Sequence, residues 1–137
     1  MDGISLVETN TAIDSPTLGS LFIVCRDRER SCAFYQSLGF RLKEPKSRSF
    51  VLAAGGGVEL HLHEQLSEKE KSLYGVEWAR GSRAMVHSYE VDSVESLLSV
   101  VPSDSLIRGP LETPWGTRLI IVSDPDGHLL EFRERTK

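Results

Sequence analysis

Thr117-Arg118-Leu119-Ile120-Ile121-Val122-Ser123, Asp124-Pro125-Asp126-Gly127 and His128-Leu129-Leu130-Glu131-Phe132 form the stretch whose reading decides the fold. Asp holds a turn through its side chain, Pro fixes φ and Gly takes the position of positive φ, so Asp124 to Gly127 reads as a tight turn. The β-branched and aliphatic runs on either side have strand length, which makes the whole a hairpin. Its second strand carries one acid, Glu131, between Leu130 and Phe132. Alternation points that acid to the face opposite its apolar neighbours. On a concave sheet Glu131 is a metal ligand or ligand-binding acid; on a wetted face it is a solvated residue.

Working outward, the same order of elements occurs twice. Leu18 to Arg26 reads as a strand, and Asp27 can N-cap a helix near Arg28 to Leu38 with Ser31, Phe34, Tyr35 and Leu38 on its inner stripe. Gly39 stands where a glycine ends such a helix. Strands follow at Phe40 to Glu44, Ser49 to Ala54 and Val58 to His63, the last two joined by Gly55-Gly56-Gly57. No helix follows these glycines, so they read as a hairpin turn and not as a phosphate loop. Val58, Leu60 and Leu62 share one parity and should lie under a helix, with Glu59, His61 and His63 on the opposite face.

In the second half Ala84 to Val91 is a strand. Asp92 is the expected N-cap with Glu95 at capping-box spacing, and Val94, Leu97, Leu98 and Val101 form the stripe of a helix near Ser93 to Val100. Strands at Ser105 to Glu112, Thr117 to Ser123 and His128 to Arg133 complete the unit. The expected organisation is a tail over residues 1–17, a first βαβββ module over 18–64, a linker over 65–82 with a short helix around Glu68 to Leu73, and a second module over 83–137.

Length and composition set bounds. A chain of 137 residues fits one domain with a real core. With 16 basic against 20 acidic groups the net charge is −4, which argues against nucleic-acid binding driven by net charge. Cys25 and Cys32 lie in no CxxC context, and neither a signal peptide nor an apolar run of membrane length is seen. These features imply a reduced, soluble, cytoplasmic protein with no membrane partner.

Asp27-Arg28-Glu29-Arg30-Ser31-Cys32-Ala33-Phe34-Tyr35-Gln36-Ser37-Leu38-Gly39-Phe40 and Asp124 to Phe132 together resemble the vicinal oxygen chelate superfamily, which comprises glyoxalase, bleomycin-resistance and extradiol-dioxygenase proteins. Gly57 to His63 and Tyr89 to Asp92 fall in register, so the resemblance spans roughly residues 18 to 134. It implies an α+β fold in which two βαβββ modules form a curled mixed sheet cupping a central site, with helices outside. Metal-dependent members place one ligand on the first and one on the last strand of each module. Those places fall here on Ser20, on Glu59 or His61 (two registers are open), on Val86 and on Glu131. The candidate metal set is therefore Glu59, His61 and Glu131, an incomplete one. No cofactor is expected beyond a weakly held divalent ion.

The Pro114-Trp115-Gly116-Thr117-Arg118 run resembles the bleomycin-resistance branch, whose cup binds flat or amphipathic molecules. By that resemblance Trp115 stacks on a ligand and Arg118 pairs with an anionic group. Alternatively Trp115 packs against the linker and Arg118 is solvated. Cup-facing parity adds Ser20, Phe22 and Val24 on the first strand and Val86, Ser88 and Glu90 on the fifth. The candidate ligand-binding residues are thus Ser20, Phe22, His61, His63, Ser88, Trp115 and Arg118. For Glu59, His61 and His63 the plainer alternative is a hydrated wall or an edge kept soluble by charge. His128 reads as a surface residue and His87 as a packed, hydrogen-bonded one. The expected function is binding of a small organic molecule by a homodimer. A divalent-metal lyase, isomerase or dioxygenase using Glu131 with Glu59 or His61 is the alternative, and a purely structural or regulatory module is a third.

Overall fold

The structure, a computed structural model, describes Pro16, residues 18–74 and residues 85–135. Apart from Pro16, the tail lies outside the described residues, as do the later linker and the start of the next expected strand, residues 75–84. The elements run β1 (Ser20–Cys25), α1 (Arg28–Ser37), β2 (Arg41–Pro45), β3 (Ser49–Ala53), β4 (Glu59–Glu64) and α2 (Glu68–Tyr74). They continue with β5 (Val86–Val91), α3 (Val94–Leu98), β6 (Leu106–Glu112), β7 (Arg118–Ser123) and β8 (Leu129–Glu134). Two four-stranded sheets result, ordered β1-β4-β3-β2 and β5-β8-β7-β6. In each, the first and last strands of a module pair in parallel and the other neighbours are antiparallel. The fold class is therefore α+β, two βαβββ units as expected.

Local chemistry explains the element ends. Asp27 is extended and its carboxylate accepts from the Arg30 N–H at 3.1 Å, an N-cap for α1. At the other end Gly39 takes φ +101°, and the N–H groups of Gly39 and Phe40 reach back to the carbonyls of Gln36 and Tyr35 at 3.0 and 3.2 Å. That double closure satisfies carbonyls the helix would otherwise orphan. For α3 the cap differs from expectation. Ser93, not Asp92, is the extended residue whose side chain accepts from Ser96 N–H, and Glu95 closes no capping box. Either residue type can cap; the backbone turns one position later than the sequence pattern suggested.

Leu60 and Leu62 are fully buried against the helix side, as their parity requires. Val58 is not with them: it lies before β4 begins and is only partly buried. The core is a single cluster drawn from both modules, including Ile23, Tyr35, Phe40, Leu60, Ile120 and Phe132. Aromatic rings bridge the seam, with Phe40 of the first module 5.0 Å from Tyr89 and 6.5 Å from Phe132 of the second between centroids. The β7–β8 turn adds a polar latch. Asp124 accepts from Tyr35 Oη at 2.8 Å, while Asp126 accepts from Arg26 N–H at 3.1 Å and Ser31 Oγ at 3.3 Å. Asp124 also holds its own turn by accepting from the N–H groups of Asp126 and His128 at 2.9 Å each. One motif thus shapes the hairpin and fastens it to α1.

Candidate functional site

Helices α1 and α3 each cover one face of a sheet; the opposite, helix-free face carries most of the candidate residues. On the first module the parallel pairing of β1 and β4 sets Ser20 beside Glu59, Phe22 beside His61 and Val24 beside His63. Glu59 is ion-paired to Lys43 of β2 and lies 3.4 Å from His61 Nε2. Lys43, and after it His61, hold the Glu59 carboxyl below its ordinary range. The ring of His63 packs 5.2 Å from that of Phe22, which is 52 % exposed. His63 Nδ1 lies 2.7 Å from the Glu64 carbonyl, and a carbonyl can only accept, so Nδ1 carries the proton. Its Nε2 stands 4.0 Å from Glu70 of α2. Glu70 is in turn gripped by Arg48 and by the N–H of Ser67, which bring its carboxyl down to about 2.

The second module presents a smaller group. Ser88 Oγ donates to Glu131 at 2.6 Å, the two residues being register partners on β5 and β8. Arg133, two residues along β8, places its guanidinium 3.9 Å from the same carboxylate. Val86, also on this face, is 44 % exposed. His87 has the opposite parity and lies 3.5 Å from Tyr89 Oη; burial first, then nearby His128, pushes its imidazole down. His128 is not merely a surface residue: its Nε2 donates to the Val24 carbonyl of the first module at 3.3 Å.

The expected site residues therefore fall into separate groups. Ser20, Phe22, Glu59, His61 and His63 come together on one sheet, and Ser88 and Glu131 on the other. Among the described residues no three His, Cys, Asp or Glu side chains are grouped to hold one ion. Arg118 joins neither group. It shares parity with Ile120 and Val122, both buried on the helix side, and it pairs with Glu95 of α3, Glu112 and Glu134. Trp115 stands in the β6–β7 turn, 76 % exposed, and so does not pack as a buried ring would. Lys43, Arg133 and Glu70 were not singled out from the sequence. Arg133 was accessible through simple alternation from Glu131, whereas Lys43 and Glu70 depend on which strands and helix lie alongside.

A cleft of about 750 Å³ opens away from most of these residues. Leu21, Leu38 and Phe40 line it from the first module, the Ala54 to Val58 turn borders it, and Val86 to Val91, Arg133 and Arg135 face it from the second. Of the candidate ligand-binding residues, Ser88 alone reaches it.

The family model described as Glyoxalase/Bleomycin resistance protein/Dioxygenase superfamily matches residues 17–132. Solved structures with the same fold include a protein of unknown function from Agrobacterium tumefaciens (TM-score 0.71, 23 % identity, covering 93 % of this chain and all, 100 %, of that one). A glyoxalase/bleomycin resistance protein/dioxygenase family enzyme from Burkholderia phytofirmans superposes with TM-score 0.70 at 20 % identity, covering 87 % of this chain and 98 % of its own. A glyoxalase-related enzyme from Fulvimarina pelagi gives 0.68 at 21 %, with 87 % and 88 % covered. None of the curated proteins matches the chain significantly. At these identities the structural likeness speaks for fold alone.

Proposed function

Because the chain belongs to the Glyoxalase/Bleomycin resistance protein/Dioxygenase superfamily, we propose that it is a small-molecule-binding protein whose helix-free face receives an organic ligand without a complete divalent-metal centre. One observation carries this reading: the carboxylates at the expected ligand places are already committed. Glu59 is ion-paired to Lys43, and Glu131 accepts from Ser88 with Arg133 beside it. A divalent ion would have to displace an ammonium at one carboxylate and approach a guanidinium at the other. Of the remaining places Ser20 offers a neutral hydroxyl and Val86 no donor atom, so the set does not fit a four-ligand site. Phe22 and His63 supply what a binder uses instead, an aromatic platform open to solvent with hydrogen-bonding groups around it.

The same face supports a homodimer, since a second copy would cover Phe22 and Val86, both large and exposed. Sedimentation at micromolar concentration should then show twice the chain mass. Two free, buried thiols support placement in the reducing cytoplasm. Among the described residues no helix is long and apolar enough to cross a membrane.

The test combines metal analysis with a ligand screen. Protein purified without chelator should carry no stoichiometric zinc, nickel, manganese or iron. Ligands found by thermal shift should lose about tenfold in affinity on Phe22→Ala, the worth of one aromatic contact. A second reading, a metal-dependent lyase, isomerase or dioxygenase, draws support from the 3.4 Å approach of His61 to Glu59. An ion retained through dialysis and lost in Glu131→Ala would favour that reading and overturn the first.

A further inference from the structure

The two modules close their seam differently at its two ends. At one end the β7–β8 turn inserts Asp124 and Asp126, both buried, against Tyr35, Ser31 and the Arg26 N–H. The matching turn of the first module, between β3 and β4, is Gly55-Gly56-Gly57, which has no side chains to insert. A Cβ built on any of these three glycines meets nothing within 4 Å. The 750 Å³ cleft lies beside this turn, within the range of roughly 300–1,000 Å³ typical of small-molecule pockets. We infer that this cleft is a second ligand site, distinct from the Phe22–His63 platform though bordered by Val86, Ser88 and Arg133 of the second sheet's helix-free face, and that it takes an amphipathic carboxylate.

Its chemistry is divided. Leu38, Phe40 and Phe132, buried in the shared core, together with half-buried Leu21 and Tyr89 make an apolar side. Arg133 and Arg135, from the end of β8, supply two guanidiniums at the other side. Arg135 gives one N–H to Asp92 at 2.9 Å and Arg133 lies 3.9 Å from Glu131, so each of these five-donor groups retains donors for an anion. Among the described residues lining the cleft, Glu90 contributes the carboxylate that partly offsets them. His87, pushed down by burial, adds a neutral imidazole and no further charge. An apolar tail against the leucines with its head group at the two arginines satisfies both sides.

The cleft shares Ser88 and Arg133 with the helix-free face but neither Phe22 nor His63, and the test keeps the two sites apart through those rings. Octanoate is the probe, with octylamine and octan-1-ol as controls of equal chain length. Calorimetry should show one saturable octanoate site per chain and about tenfold weaker binding of both controls, as expected for two partly solvated charge contacts. In the amide NMR spectrum octanoate should shift Gly55, Gly56, His87 and Tyr89 and spare Phe22 and His63. Gly55 lacks a positive φ, so Gly55→Leu can fill the cleft without backbone strain. That variant should abolish octanoate binding while leaving ligands seated on the Phe22–His63 platform unaffected, and Phe22→Ala should do the reverse. Absence of octanoate binding at about 10 mM, equal binding of octylamine, or spectral shifts confined to Phe22 and His63 would each overturn the inference.

Discussion

Tyr35→Phe removes one atom from the seam and keeps everything else. Tyr35 is fully buried, and its hydroxyl donates to Asp124 Oδ2 at 2.8 Å; the other Asp124 oxygen is occupied by the turn N–H groups. The ring itself packs edge-on against Phe34 and Phe40 at 5.5 and 5.4 Å, contacts a phenylalanine retains. The cost is therefore that of a buried carboxylate oxygen losing its donor, about 2 kcal/mol, or roughly a thirtyfold change in the folding equilibrium. For a chain of this size that corresponds to a fall of roughly 6–10 °C in Tm. Because the bond joins α1 to the β7–β8 turn, 89 residues apart, its loss should lower one cooperative transition and not detach the second module. Urea and thermal unfolding followed by both fluorescence and far-ultraviolet circular dichroism measure this directly. Ser31→Ala, which gives up a longer bond at 3.3 Å to an Asp126 still held by Arg26 N–H, should cost about half as much. A loss below about 0.5 kcal/mol for Tyr35→Phe, or transitions that separate by probe, would refute the shared-core argument.

Three further outcomes are expected. Glu70 has its folded-state carboxyl depressed from 4.5 to about 2 by Arg48 and Ser67, so the stability it contributes is full above its ordinary range and is lost as pH falls through about 2. Glu70→Gln should lower the urea midpoint at pH 7 and flatten its decline between these pH values; an unchanged acid limb would contradict the Arg48 grip. Burial pushes the Cys25 thiol up to about 12 and raises that of Cys32, so native protein at pH 8 should react slowly with a disulfide reagent and unfolded protein should titrate two thiols promptly. Arg118→Ala should leave affinity for ligands of the helix-free face unchanged in binding titrations, since its side chain is held on the helix side by Glu95, Glu112 and Glu134.

What could be read in advance, and what could not, follows the range of the interactions involved. The turn at Asp124 to Gly127, the cap at Asp27 and the closure at Gly39 are settled within five residues of chain, and all were legible. So was the parity that buries Leu60 and Leu62, because a period of two admits no drift within a strand. The same period, extended from Ile120 and Val122, already placed Arg118 on the helix side. The motif resemblance pointed elsewhere, and three carboxylates hold the side chain where the period put it. The commitment of Glu59 was beyond local reasoning. Lys43 is the extra residue of a bulge, where β2 advances from Leu42 to Glu44 while β3 advances one position, so its reach to Glu59 depends on a break in register. The second oxygens of Asp124 and Asp126 illustrate the same limit. Their turn role shows in sequence, but their hold on Tyr35 and Ser31 exists only once two modules meet. The cleft beside Gly55 is the complement of that hold: three residues without side chains read correctly as a turn, yet the space they leave is defined by β5 and β8 of the other module. Function on this scaffold is decided at those long-range junctions, which is why two chains with the same legible motifs can differ in what they bind.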